Sequence, residues 1–167
     1  MASGSGTGYP GFSGYSRRDS GVSVNFRFDA LNVGERYDRM QLAAFWGYRA
    51  RQAISRGIIT PRGHNLIILF VTEQKHAGMT QYVDRLVGGC LQMEGDGQAA
   101  SHRRLAAQMD SESRDAVQLF FRRNQRDRFS YCGEATVVSA DSTHPNGYYW
   151  IQLDPVNVPE VMASLAG

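Results

Sequence analysis

Two short clusters in this chain carry side chains suited to recognition chemistry. Tyr82, Asp84 and Arg85 lie within one four-residue stretch, and Trp46, Tyr48 and Arg49 within another. An aromatic ring can stack on an extruded nucleobase. An ionised carboxylate such as Asp84 can accept from the exocyclic amine of cytosine, and Arg85 or a backbone group can address the other edge. The same residues have ordinary roles. A large indole such as Trp46 more often packs in a core, Tyr82 can do the same, and Asp84 beside Arg85 can be a surface ion pair of little worth.

The basic residues point the same way by kind and position. Lys75 is the only lysine, so every other basic side chain is an arginine. Arginine offers a planar fork that grips phosphates and guanine edges through two bonds at once, although a GC-rich coding sequence also favours it. Arg49, Arg51, Arg56 and Arg62 form one group, His102, Arg103 and Arg104 a second, and Arg122 and Arg123 a third, extended by Arg126 and Arg128. These are the candidates for contact with a nucleic-acid backbone.

Catalytic patterns are sparse. Glu73-Gln74-Lys75 follows an apolar stretch, and an E-x-K at a strand end belongs to the metal-binding signature of one nuclease superfamily. That chemistry also needs an upstream carboxylate to share a divalent ion, and Asp38 lies far earlier, in a helix cap. A metal-dependent nuclease using Glu73 and Lys75 is therefore one alternative reading, and a nucleic-acid binder with no preference for modified bases is another. There is no nucleophile elbow and no G-x-x-x-x-G-K-[ST] loop. The four histidines and two cysteines lack ligand spacing. The expectation is no catalytic residue, no metal and no cofactor.

The elements that must position these groups follow from the apolar pattern. Leu66 to Val71 is apolar throughout, as in a strand covered on both faces. Val22 to Phe28 alternates like a half-buried strand. Asp38 caps a helix that Gly47 stops, Tyr48 to Ser55 reads as a second short helix, and Ile58 to Thr60 as a brief strand. Thr72 to Thr80 reads as a loop, then Tyr82 to Leu86 as an extended segment, a Gly88-Gly89 turn and a strand from Cys90 to Glu94. A helix is expected over Ser101 to Met109, strands over Ala116 to Phe121, Phe129 to Val138 and Tyr148 to Leu153, and a last helical turn over Glu160 to Leu165. Such an order argues an α+β domain on a curved, barrel-like, mostly antiparallel sheet with flanking short helices.

Composition bounds the rest. With 167 residues, 42% hydrophobic and 20% charged, the chain is long enough for one domain with a core. Residues 1–21 are Gly, Ser, Tyr and Arg with almost no aliphatic side chains, and read as a flexible arm before a single domain over 22–167. The net charge of +2 decides little. No apolar run can span a bilayer and no secretory leader is visible, so a cytoplasmic location and no membrane partner are expected. Cys90 and Cys132 sit in apolar strands and read as buried thiols.

Four stretches carry a resemblance. YDRMQLAAFWGYRARQAISRGIITPRG, IILFVTEQK, TQYVDRL and VQLFFRRNQRDRFSYCGEA occur in this order. Together they resemble a bacterial domain of unknown function found at the C-terminal end of type IV restriction enzymes that join a phospholipase-D-type nuclease to a helicase motor. The resemblance covers about Tyr37 to Leu153. It implies an SRA/PUA-like barrel, similar in role to the SET- and RING-associated (SRA) domains that flip a modified cytosine out of the duplex. It further implies double-stranded DNA carrying a modified base, 5-methylcytosine, as the partner, with a nuclease or helicase module fused or in trans. This chain departs from those enzymes in carrying neither nuclease nor motor. The resemblance assigns no individual residue; the site candidates rest on their own chemistry.

Overall fold

The computed structural model describes residues 24–75, 77–78 and 84–167. The expected arm and Tyr82 lie outside the described residues, as does the side chain of Arg51. The elements in order are β1 (Arg36–Tyr37), α1 (Arg39–Trp46), β2 (Ile58–Ile59), β3 (Leu66–Gln74), β4 (Arg85–Val87), β5 (Cys90–Glu94), α2 (Ala99–Ala107), β6 (Ala116–Asn124), β7 (Phe129–Asp141), β8 (Tyr148–Leu153) and α3 (Val158–Ala166). Short 3-10 turns lie at Phe28–Ala30 and Arg51–Ile54.

The strands form one sheet in the order β2-β3-β6-β7-β8-β5-β4, with β1 also paired to β7. Only β3 and β6 run parallel; the other pairs are antiparallel. The sheet curls until its two ends meet. Ile58 of β2 shares one apolar cluster with Leu91 and Met93 of β5, and Arg56, just before β2, reaches Asp96, just after β5, at 3.5 Å. Two irregularities in β7 help the bend. The first lies where Gly133 pairs with Leu119 and Tyr131 with Phe120, leaving Cys132 as the extra residue; the second lies between Val137 and Ser139. Gly133 has φ +82°, a conformation that disfavours a side chain.

The apolar run of β3 is explained by cover on both faces. Ile67, Leu69 and Val71 point into the curl, and Leu66, Ile68 and Phe70 into a second cluster under α1. In that second cluster Phe26, Phe28, Trp46, Phe120 and Tyr131 stack edge and face at 5.0–6.4 Å between centroids. Helix α1 starts with a reciprocal cap: the Gln41 amide donates to Asp38 Oδ1 at 2.8 Å and the Asp38 amide to Gln41 Oε1 at 3.0 Å. Gly47 ends it at φ 88°.

The expected α+β class and the curled, mostly antiparallel sheet hold. Several boundaries move. Val24, Phe26 and Phe28 are half-buried on one face, but no strand forms over 24–28; among the described residues Asn25 N–H bonds to the Trp46 carbonyl, at 3.0 Å. The alternation recorded one-sided burial without a ladder partner. The helix expected over Tyr48 to Ser55 reduces to the 3-10 turn Arg51–Ile54. Strands β3, β6 and β7 run three residues past their expected ends, because the ladder pairing with β6, β3 and β8 continues there. Both cysteines are free thiols, Cys132 buried and Cys90 half-buried; burial pushes the Cys132 thiol up to about 12.

Candidate functional site

Where the sheet ends meet, a cavity of about 690 Å³ opens, within the range of small-molecule sites. Its position follows from unequal strand lengths. Strand β2 pairs only as far as Ile58 with Leu69, and the Phe70 amide takes Gly57 O at 2.8 Å. Strand β3 continues to Gln74, so its edge beyond β2 faces the cavity. Ile58, Phe70, Val71 and Met93 supply apolar wall.

Asp84 is the buried polar centre of this cavity, 9% exposed. Its Oδ1 accepts the Glu94 N–H at 3.1 Å, and its Oδ2 lies 3.7 Å from Lys75 Nζ. Burial pushes its carboxyl up to about 6, against the opposing pull of the Glu94 amide and of Lys75. The strand carrying Glu94 is held by a close approach: Gly95 N–H donates to Gly147 O at 2.8 Å, and a Cβ on Gly95 would stand 2.2 Å from the Asn146 carbonyl. Asn146 Nδ2 also donates to Glu94 Oε1 at 2.7 Å. A hydrogen-bond acceptor and a cationic donor thus stand side by side in a partly dry cavity.

Arg39 and Arg122 also line the cavity. The Arg39 guanidinium lies 4.2 Å from the Phe70 ring centroid and 5.2 Å from that of Phe129; Arg122 lies 4.1 Å from Phe129. Arg39 Nη1 donates to the Ile54 carbonyl and, at 3.0 Å, to Arg56 O. Arg122 Nε donates to Thr72 Oγ1 at 2.8 Å and its Nη1 to Asp127 O at 3.0 Å. Burial, and then the charge of Arg122, lowers Arg39 to about 10.

Of the residues expected at the site, Asp84, Arg56 and Arg122 line this cavity. Arg85 does not. Strand alternation sends it to the opposite face from Asp84 and Leu86, where it is exposed near Tyr148. Trp46 is 1% exposed in the aromatic core, which leaves no ring face for a base. Its indole N–H is buried without a partner. Tyr48 packs edge-on to Phe26 at 6.0 Å, and with exposed Arg49 borders a separate shallow depression.

The basic candidates divide in the same way. Arg56, Arg62 and Arg103 are exposed. Arg104 is tied down: it pairs with Asp115 at 2.8 Å and donates to Leu66 O at 3.2 Å, fastening α2 to the start of β3. Arg123 pairs with Glu73 at 2.6 Å, and His102 Nδ1 bonds the Tyr149 hydroxyl. Those partners occupy the side chains that the sequence alone left open.

Two contributors escaped the sequence reading. Lys75 was weighed only as half of a nuclease motif, and Arg39 not at all. Nothing local marks Arg39, since its place over Phe70 and Phe129 depends on packing between distant segments. Among the described residues, no group of three or more His, Cys, Asp or Glu side chains converges to hold a metal.

No family model matches the chain, and no curated protein matches it. In structure it is similar to complexes of the SUVH5 SRA domain. For the complex with hemimethylated CG DNA the TM-score is 0.49 at 14% identity, over 75% of this chain and 90% of that one. For the complex with fully methylated CG DNA it is 0.48 at 17% identity, over 75% and 91%. These likenesses are distant and assign no residue of this chain a role.

Proposed function

We propose that the chain is a non-catalytic DNA-binding domain that reads a modified cytosine, 5-methylcytosine, by extruding it into this cavity. The observation that carries the reading is the Asp84–Lys75 pair, an acceptor and a donor 3.7 Å apart in the cavity. Cytosine presents an amine donor followed by ring and carbonyl acceptors. Ionised Asp84 accepts from the amine, and Lys75 donates to the ring edge. Thymine reverses that order and would leave both charges badly paired, which is the strongest kind of rejection a polar site can offer.

The methyl group itself contributes only about 1 kcal/mol by area transfer. Preference for it therefore depends on fit to the whole base, with unstacking costs of a few kcal/mol offset inside the pocket. Exposed Arg56, Arg62 and Arg103 are proposed to hold backbone phosphates, which position the duplex without reading it. The sequence resemblance supports a place as the target-recognition part of a modification-dependent restriction system, with a nuclease or helicase module fused or in trans.

The rival nuclease reading is disfavoured by pairing. Glu73 is engaged by Arg123 and Lys75 by Asp84. The test is a binding titration with two duplexes differing only in the 5-methyl group, alongside incubation of each with magnesium. Tighter binding of the methylated duplex without cutting is expected. Equal affinity, or cleavage lost in Glu73→Ala, would overturn the reading.

A further inference from the structure

We infer that Arg39 and Arg122 together form an oxyanion subsite inside the same cavity, separate from the Asp84–Lys75 pair. The inference rests on the reading above for the identity of the larger ligand, and on independent geometry for the subsite itself.

Four observations support it. Both guanidiniums pack against one ring, Phe129, at 5.2 and 4.1 Å. Like charges brought together in a partly buried place repel, and Arg39 is held below the usual arginine range by burial and by Arg122. Neither forms a salt bridge with a carboxylate among the described residues, the Asp127 carboxylate acting on Arg122 only at longer range. The protein bonds each makes go to neutral oxygens through Arg39 Nη1 and through Arg122 Nε and Nη1. The Nη2 groups of both have no bond to a described residue, and neither is a buried unsatisfied atom.

A purely structural pair would be expected to carry a carboxylate, as Arg104 carries Asp115 and Arg123 carries Glu73. Two guanidiniums that line one cavity, each with an Nη2 that bonds no described residue, suit a group with several acceptor oxygens and negative charge. In bound DNA that oxyanion has two sources: the phosphate flanking the extruded nucleotide, or a carboxylate carried on the base. The two share one chemistry, a negatively charged group with several acceptor oxygens beside the base.

The experiment uses the full chain with three duplexes: one with 5-methylcytosine, one with the same base flanked by a neutral methylphosphonate, and one with 5-carboxylcytosine. A phosphate source predicts that wild-type protein loses roughly tenfold or more in affinity on the methylphosphonate duplex. A carboxylate source predicts a gain of similar size on the 5-carboxylcytosine duplex. In either case Arg122→Gln abolishes the difference, and Arg122→Lys retains part of it. Titration of wild-type protein and Arg122→Gln with inorganic sulfate, read as the difference between their rises in melting temperature, gives a measure that needs no DNA preference.

If wild-type protein treats the three duplexes alike and sulfate stabilises it no more than Arg122→Gln, the subsite is refuted. If sulfate stabilises wild-type protein more than Arg122→Gln while modified and plain DNA bind equally, the subsite stands and the base-reading proposal falls.

Discussion

Lys75 Nζ lies 3.7 Å from Asp84 Oδ2, joining the residue after β3 to the residue before β4 within the cavity. A buried carboxylate at that place is a cost to the free protein. Its raised ionisation, about 6 against an ordinary 3.8, means that the folded state holds the proton more tightly than the unfolded chain. The stability due to the protonated form is complete below about pH 4 and is lost as pH rises through about 6. At neutral pH the ionised group then costs on the order of 3 kcal/mol. Asp84→Asn keeps an acceptor for the Glu94 amide and removes the charge. It is expected to melt several degrees higher than wild type near about pH 7.5, and with no gain near about pH 4. Melting curves at the two pH values decide it.

The same ionisation sets the direction of a pH effect on recognition. Acceptance of the cytosine amine alongside the Lys75 donor uses ionised Asp84. Preference for methylated over plain duplex should therefore hold above about pH 7 and weaken as pH falls through about 6. A preference that instead grows on acidification would mean that Asp84 and the base share a proton.

Arg103 and Arg104 are neighbours in sequence with opposite expected behaviour. Arg103 is exposed, so Arg103→Ala should weaken both duplexes alike, reduce the salt dependence of binding and leave the fold intact. Arg104 is bound to Asp115 and to the Leu66 carbonyl. Arg104→Ala should cost about 1–3 kcal/mol of stability by leaving Asp115 without its partner. Denaturant unfolding together with salt-series titrations separates the two.

Gly133 is expected to be intolerant of substitution. It holds φ +82° at the irregularity in β7, and a Cβ there would stand 2.6 Å from Asn157 Nδ2. Gly133→Ala should destabilise by roughly 1–3 kcal/mol, and because the bend brings the sheet ends together, it should also weaken binding. A variant with unchanged melting and binding would show that the curl does not depend on this residue.

Much of the architecture was legible because it is written in local patterns. Asp38 and Gly47 bracket α1 through caps that need only nearby residues, and the unbroken apolar run from Leu66 forecast a strand covered on both faces. Asp84 was legible as chemistry, but its depth was not, since burial is decided by β3, β5 and the curl together. Arg85 stands away from the Asp84 cavity because residues adjacent along a strand point to opposite faces. Trp46 packs in the core, as is usual for an indole, although an aromatic beside arginines looks the same in sequence whether it faces solvent or Phe120. Arg39 and Lys75 take their places from contacts between segments far apart, which no local spacing encodes.

Asp84, set beside Lys75, is proposed to distinguish the extruded base. This role is tested most directly by titrating wild-type protein and Asp84→Asn with duplexes that differ only at the 5-position of one cytosine, at fixed salt and with folding verified by circular dichroism. Wild-type protein is expected to prefer the methylated duplex, and Asp84→Asn, at least as stable as wild type, to bind both duplexes with nearly equal affinity. Retention of the wild-type ratio by a folded Asp84→Asn would contradict it and move the reading site away from this cavity.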